Sequence, residues 1–297
     1  MRGRGDIRIG TSGWRYKSWR GVFYPAGLAQ RRELAFIGET FRAVEINGTF
    51  YSLQRPELFE RFAAAVPPDF LFAVKGSRFI THNKKLKDIE APLANFFAQG
   101  LFCLGPKLGP FLWQLSPRLT LDIDRIDRFL TLLPRDTDAM ARLAHRHDTR
   151  VSGRAAVKPT ADLRLRHAIE VRHQSFVDAA FAELLRKHEV ALVVADSVDW
   201  PLLMDVTSDF VYCRLHGSEE LYASGYDDAA LDEWAGRVVA WAGGGEPQDA
   251  KRIAKRARKR KSRDVFIFFD NDAKARAPID AQGLMERVER QAPLSRS

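Results

Sequence analysis

Charged side chains stand at the ends of short apolar runs along this chain, and their types suit acid–base chemistry on an anion. Glu45 and Glu170 carry carboxylates that could move a proton, and His216 could act as a second proton-transfer group. Lys and Arg residues at the ends of the same runs could hold the phosphate or carboxylate of a substrate. The candidate catalytic residues are Glu45, Glu170, Asp196 and His216, and the candidate substrate-binding residues are Lys75, Arg172, Arg214, Asn47, Gln114, Asn271, Trp14 and Tyr51.

Eight short apolar runs must position these side chains. Buried parallel strands read as such runs because both of their faces are covered. In a closed eight-stranded βα barrel, functional residues gather where the strands end. The sequence therefore predicts an α/β fold of the TIM-type (β/α)8 barrel class, with the candidate residues at its C-terminal face. The runs begin at Ile7, Ala43, Leu71, Phe111, Ala168, Ala191, Val211 and Phe266.

The connection between the sixth and seventh runs is short. The segment 197–209 contains Pro201 and is too brief for a full helix with its turns. A thinned connection is therefore predicted between strands six and seven. The length of 297 residues suits one barrel domain over 1–297, with a core at about 7–285 and a frayed tail at 286–297.

Two other chemistries and one structural explanation stay open. A divalent metal could be held by a carboxylate and histidine set, although cations among these residues would repel the ion and pair with its ligands. A glycosidase could use Glu45 and Glu170 across a sugar ring, but their separation cannot be read from the sequence. The same charges could instead form a structural salt-bridge layer that closes the barrel. The metal set would be Glu45, Glu170, Asp196, His173 and His216.

Aromatic residues accompany the charges in the loop 13–25 and at Tyr51. Interleaved aromatic and cationic side chains suit stacking on a nucleobase or sugar with phosphate contacts. The alternative for Trp14 and Trp19 is a loop that packs as a plug over the barrel.

The net charge of +9 comes from one segment. Residues 251–263 hold nine cations and no acid, and without them 38 Lys and Arg face 38 Asp and Glu. The spacing of Ile253, Ala254 and Ala257 predicts a helix with one docked apolar face. This basic helix is either simply solvated or a nucleic-acid patch. The patch would consist of Lys255, Arg256, Arg258, Lys259, Arg260 and Lys261.

No apolar stretch approaches the ~20 residues of a membrane span. The first residues lead into a strand without the apolar segment of a signal peptide. We therefore expect no membrane partner and, by default, a cytoplasmic location.

Ordered motifs lie along most of the chain, at 9–14, 23–25, 44–51, 72–75, 78–82, 107–110, 170–173, 195–197, 214–217 and 270–272. Together they resemble the YecE-like domain-of-unknown-function family. The match runs from about Ile7 to Met285 and implies a TIM-type barrel, without a reaction, substrate or cofactor. Barrels of related shape include metal-dependent endonucleases that act at abasic sites in DNA, which is an analogy of fold only.

These observations predict an enzyme of the hydrolase or lyase/isomerase type. Its substrate would be a small anion such as a phosphorylated sugar or a nucleotide-like compound, and the cofactor is left open between none and a divalent metal. The alternative is a nucleic-acid-binding protein, with or without metal-assisted phosphodiesterase activity.

Overall fold

The computed structural model describes residues 3–217 and 225–291. Its eight strands follow one another in chain order around a closed barrel, which confirms the TIM-type fold class. The strands are β1 (Ile7–Ser12), β2 (Ala43–Ile46), β3 (Leu71–Lys75), β4 (Leu108–Gln114), β5 (His167–Glu170), β6 (Ala191–Asp196), β7 (Phe210–Leu215) and β8 (Asp264–Phe269).

Helices cover the segments between most strands. Four of them begin with an aspartate whose side chain accepts a backbone N–H of the first turn, at Asp122, Asp136, Asp178 and Asp227. This capping satisfies a donor that has no partner within the helix. The helices are α1 (Glu33–Thr40), α2 (Gly48–Tyr51), α3 (Pro56–Ala64), α4 (Glu90–Ala98), α5 (Ile123–Leu132), α6 (Thr137–Ala144), α7 (Ala179–Lys187), α8 (Asp228–Ala242) and α9 (Arg276–Gln291).

Contacts divide the chain into two compact units, residues 34–176 (the middle unit) and residues 1–33 with 177–297 (the terminal unit). In the middle unit β2, β3, β4 and β5 pair in parallel. Its core contains His167, whose Nδ1 lies 3.1 Å from Trp113 Nε1 and whose Nε2 lies 2.7 Å from the Pro134 carbonyl. Burial lowers the pKa of His167 to about 3, so this ring is a neutral core residue.

In the terminal unit the ladder runs β6, β7, β8 and β1, all parallel. Helix α8 packs against α9. The segment 197–209 between β6 and β7 contains no helix, so the thinned connection is confirmed. No helix of residues 3–217 and 225–291 is long and apolar enough to cross a membrane.

Two predictions about local structure are wrong. The basic run 251–263 is not helical; the helix of this connection is α8, further upstream. Glu246 accepts the Ala257 N–H, which an α-helix would direct to the Ile253 carbonyl, and Asp205 accepts the N–H groups of Ile253 and Ala254. The second prediction, a frayed tail at 286–297, is wrong for residues 286–291, because they continue helix α9. Residues 292–297 lie outside the described residues.

Candidate functional site

The ends of β4 and β5 bring an amide, a carboxylate and a guanidinium together. Gln114 and Glu170 are the last residues of their strands and lie opposite each other in the ladder. Glu170 Oε1 accepts from Gln114 Nε2 at 3.0 Å and from Arg172 Nε at 2.7 Å. The Glu170 side chain is fully buried and that of Arg172 is 12% exposed, so this charge pair is largely removed from water. Three predicted residues therefore form one hydrogen-bonded group.

Lys75 ends β3 with its ammonium over an aromatic ring. Its Nζ lies 4.5 Å from the centroid of Phe50 in α2, which is a cation–π contact. The Thr49 hydroxyl donates to the Lys75 carbonyl at 2.6 Å and fixes this short helix to the strand end. Lys75 is buried, so its charge is held in place rather than solvated.

His82 is a further residue of this site that the candidate set omits. It lies in a π-helical turn (Phe79–Asn83), and its ring meets Phe50 edge-on with 5.2 Å between centroids. Its Nδ1 is 2.9 Å from the Thr81 hydroxyl, which leaves Nε2 as the nitrogen for a ligand. We call Phe50, Lys75, His82, Gln114, Glu170 and Arg172 the Glu170 cluster.

The pKa of His82 is lowered to about 4. Partial burial is the largest cause, the charges of Arg172, Lys75 and Arg78 lower the pKa further, and only Glu170 opposes them. The imidazole is therefore neutral at pH 7 and experiences a net positive potential. Such an arrangement can bind an anion and accept a proton.

Three other predicted residues of the middle unit lie on β2 or in α2 and the residue before it. Glu45 is fully buried in β2, in register with Ala73 of β3. The Asn47 carbonyl accepts from the backbone of Phe50 at 3.0 Å and so begins α2. Tyr51 is 69% exposed and offers a ring to solvent beside Phe50.

His173 closes a turn. Its Nδ1 accepts the backbone N–H of Ser175 at 3.1 Å. No three His, Cys, Asp or Glu side chains among residues 3–217 and 225–291 form a group that could hold a metal ion, the five predicted ligands included.

In the terminal unit, a second charged group lies at the ends of β7 and β8. Asp270 Oδ2 accepts from the Arg214 guanidinium at 3.0 Å and lies 3.1 Å from His216 Nδ1. Arg214 also donates to the Ser12 hydroxyl at 2.8 Å, and Trp200 meets the His216 ring edge-on. The side chains of Arg214 and His216 are fully buried.

Asp196 and Asn271 belong to separate hydrogen bonds of the same unit. The Tyr226 hydroxyl donates to Asp196 at 2.9 Å, and burial raises the pKa of Tyr226 well above its usual value. Asn271 Nδ2 donates to Asp280 at 2.8 Å, and Asp280 also accepts from the Tyr226 backbone. Asp270, Tyr226 and Asp280 were not among the predicted residues, although Asp270 lies in a motif of the family resemblance.

The aromatic loop 13–25 packs inward. Trp14 is 6% exposed and Trp19 fully buried. The Tyr24 hydroxyl donates to the Trp14 carbonyl at 2.6 Å, and Trp19 Nε1 donates to the Asp272 carbonyl at 3.3 Å. The burial of Trp14 and Trp19 is consistent with packing, and stacking of Trp14 on a substrate stays a prediction.

Sequence comparisons connect the chain with known proteins. A family model described as Protein of unknown function DUF72 matches residues 8–297. UPF0759 protein YecE of Escherichia coli K12 is 27% identical over 143 residues, which are 47% of this chain and 48% of that protein; the protein of the same name from strain O157:H7 gives the same values. The chain thus spans about half the length of the curated relatives it matches.

Solved structures share the fold. A DUF72 family protein from Thermotoga maritima MSB8 superposes with a TM-score of 0.70 and 24% identity, over 96% of this chain and 99% of that chain. A DUF72 family protein from Enterococcus faecalis V583 gives a TM-score of 0.64 and 16% identity, over 99% of this chain and 100% of that chain. At these sequence identities the structural similarity supports a shared fold and nothing about function.

Proposed function

The chain belongs to the DUF72 family, and from this premise we propose that it is a barrel enzyme that binds a small anionic substrate at the Glu170 cluster and moves a proton there. The observation that carries the proposal is that Lys75 and His82 both contact the Phe50 ring, while Arg172 is held by the Glu170 carboxylate nearby. His82 faces the charges of Lys75, Arg78 and Arg172, against one carboxylate. An anion would lower the repulsion among these cations, whereas a cation would increase it.

Each side chain of the Glu170 cluster has a proposed role that follows from its chemistry. Lys75 is a compact charge fixed over Phe50, and Arg172 is fixed by Glu170, so both would meet the anion with little further ordering. Glu170 and Gln114 thereby position the guanidinium. His82 Nε2 accepts the proton, because a neutral imidazole is a base at pH 7 and its Nδ1 is engaged with Thr81. Negative charge that develops on the substrate is stabilised by the two cations.

This division supports a hydrolase, a lyase or an isomerase whose substrate carries a phosphate or carboxylate. The exposed ring of Tyr51, in contact with Phe50, would stack on a sugar or base attached to that group. A phosphorylated sugar or nucleotide-like substrate therefore fits the cluster.

Lys75→Met tests the anion site. Loss of the ammonium removes one charge-assisted contact, so we expect the Kd for inorganic phosphate, measured by calorimetry at pH 7, to rise about tenfold or more. Lys87→Met is the control, because it removes the same charge from an exposed position of the same unit. Equal affinity of the Lys75→Met variant and the parent would contradict the proposal.

A further inference from the structure

The basic segment 251–263 carries charge that the Glu170 cluster does not use. Arg263 is buried and donates to the carbonyls of Gly244, Gly245 and Arg258. Arg252 and Arg256 pair with Glu246. These three arginines therefore hold the segment in place.

Six further cations of this segment face solvent: Lys251, and five between residues 255 and 261. They form no ion pair with any acid of residues 3–217 and 225–291, and their side chains are exposed. Neighbouring like charges repel one another, so this arrangement favours a polyanion over a single small ion. We call the five between residues 255 and 261 the basic strap; they are Lys255, Arg258, Lys259, Arg260 and Lys261.

The backbone beneath the strap is anchored at short intervals. Asp205 accepts the N–H groups of Ile253 and Ala254 at 2.9 and 3.0 Å, and Glu246 accepts that of Ala257 at 2.8 Å. The N–H of Arg260 donates to Gly244. The Lys255 carbonyl accepts from Arg186 at 2.7 Å. Since the path of the backbone is already fixed, binding a ligand costs little conformational entropy in this segment.

The geometry favours a polymer of phosphates. Five cations lie within seven residues, and duplex DNA places one charge per about 1.7 Å of its axis, so several phosphates can meet the strap together. The segment 251–263 contains no aromatic residue for base stacking. Its apolar residues, Ile253, Ala254 and Ala257, are half-buried and engaged with the fold, which disfavours insertion into a lipid surface.

We propose that the basic strap binds the phosphate backbone of nucleic acid without reading its sequence. Five phosphate contacts predict a slope of about −4.5 for log affinity against log salt on duplex DNA, hence a loss of roughly 500-fold between 50 and 200 mM salt. This surface is built from the terminal unit alone and is independent of the function proposed for the Glu170 cluster.

The test compares two variants of equal net charge in fluorescence anisotropy with labelled 20-base-pair DNA and RNA duplexes. One variant changes the five strap residues to Gln and keeps the arginines that contact Glu246. The control changes five exposed arginines elsewhere to Gln, none of which forms an ion pair among the described residues: Arg31, Arg32, Arg61, Arg128 and Arg290. Both are checked for an unchanged Tm.

We expect the strap variant to lose at least about tenfold in affinity at 50 mM salt and most of its salt slope, while the control keeps the larger part of both. Binding to DNA and RNA alike would support recognition of the shared backbone. Equal losses in the two variants, no loss in either, or no duplex binding by the parent would overturn the proposal. So would binding only to vesicles of phosphatidylcholine and phosphatidylserine.

Discussion

Replacing Arg172 by Ala is expected to weaken phosphate binding by about 10- to 100-fold, because a charge-assisted hydrogen bond contributes about 1.5–3 kcal/mol. The same change leaves the buried carboxylate of Glu170 without the Nε–H that lies 2.7 Å away. Breaking a buried pair costs about 3–5 kcal/mol, so the free energy of unfolding should also fall. Calorimetry with phosphate and urea unfolding measure the two effects separately.

Two milder variants separate binding from folding. Arg172→Lys keeps a cation but loses the planar geometry that meets both Glu170 and an anion, so affinity should fall with a smaller loss of stability. Glu170→Gln keeps an acceptor for Gln114 and Arg172 and removes the compensating charge. It should therefore bind phosphate at least as tightly as the parent. If Arg172→Ala fails to fold and neither milder variant changes phosphate affinity, the group is a structural salt-bridge layer.

Asp270→Ala is expected to reduce the free energy of unfolding by about 3–5 kcal/mol, because it breaks a buried ion pair of the terminal unit. Arg214 is fully buried, and the change removes an acceptor 3.0 Å from its guanidinium. Asp270 also lies 3.1 Å from His216 Nδ1, and that close contact is lost as well. Urea unfolding at pH 7 measures the change.

Glu183→Ala provides the comparison for Asp270→Ala. It removes an ion pair of the same unit, with Arg186, in which the glutamate side chain is 57% exposed. Exposed pairs contribute about 0–1 kcal/mol, so this variant should remain close to the parent. Similar losses in the two variants would mean that the Asp270 group is not a buried charge centre.

The barrel and the strand-end placement of its polar residues could be predicted from the sequence, because apolar runs report burial directly. Gln114, Glu170 and Arg172 follow from strand ends alone, since the ladder places the first two opposite each other. His82 is not singled out, because its π-helical turn has no periodic pattern and its neighbours Glu170 and Arg172 come from a different strand end; the one signal that includes it is the family motif 78–82.

The basic segment shows a different reason for failure. Ile253, Ala254 and Ala257 have helical spacing, yet Asp205 and Glu246 capture their backbone N–H groups. Local periodicity contains no information about such distant acceptors, and it cannot show whether an aromatic ring such as Trp14 faces a ligand or the core.

The most direct measurement of the central claim is the pKa of His82, followed by NMR of its ring protons with and without inorganic phosphate. Without phosphate the pKa should lie near 4, because burial and the charges of Arg172, Lys75 and Arg78 disfavour the imidazolium. The ring in the folded protein then stays neutral from pH 7 down to about 4. The unfolded chain takes up this proton near pH 6.5, so the free energy of unfolding decreases as the pH falls from about 6.5 to about 4. A bound anion favours the protonated ring, so saturating phosphate should raise the pKa toward 6.5. An ordinary pKa in the free protein, or a lowered pKa that saturating phosphate leaves unchanged, would contradict an anion-binding, proton-accepting site.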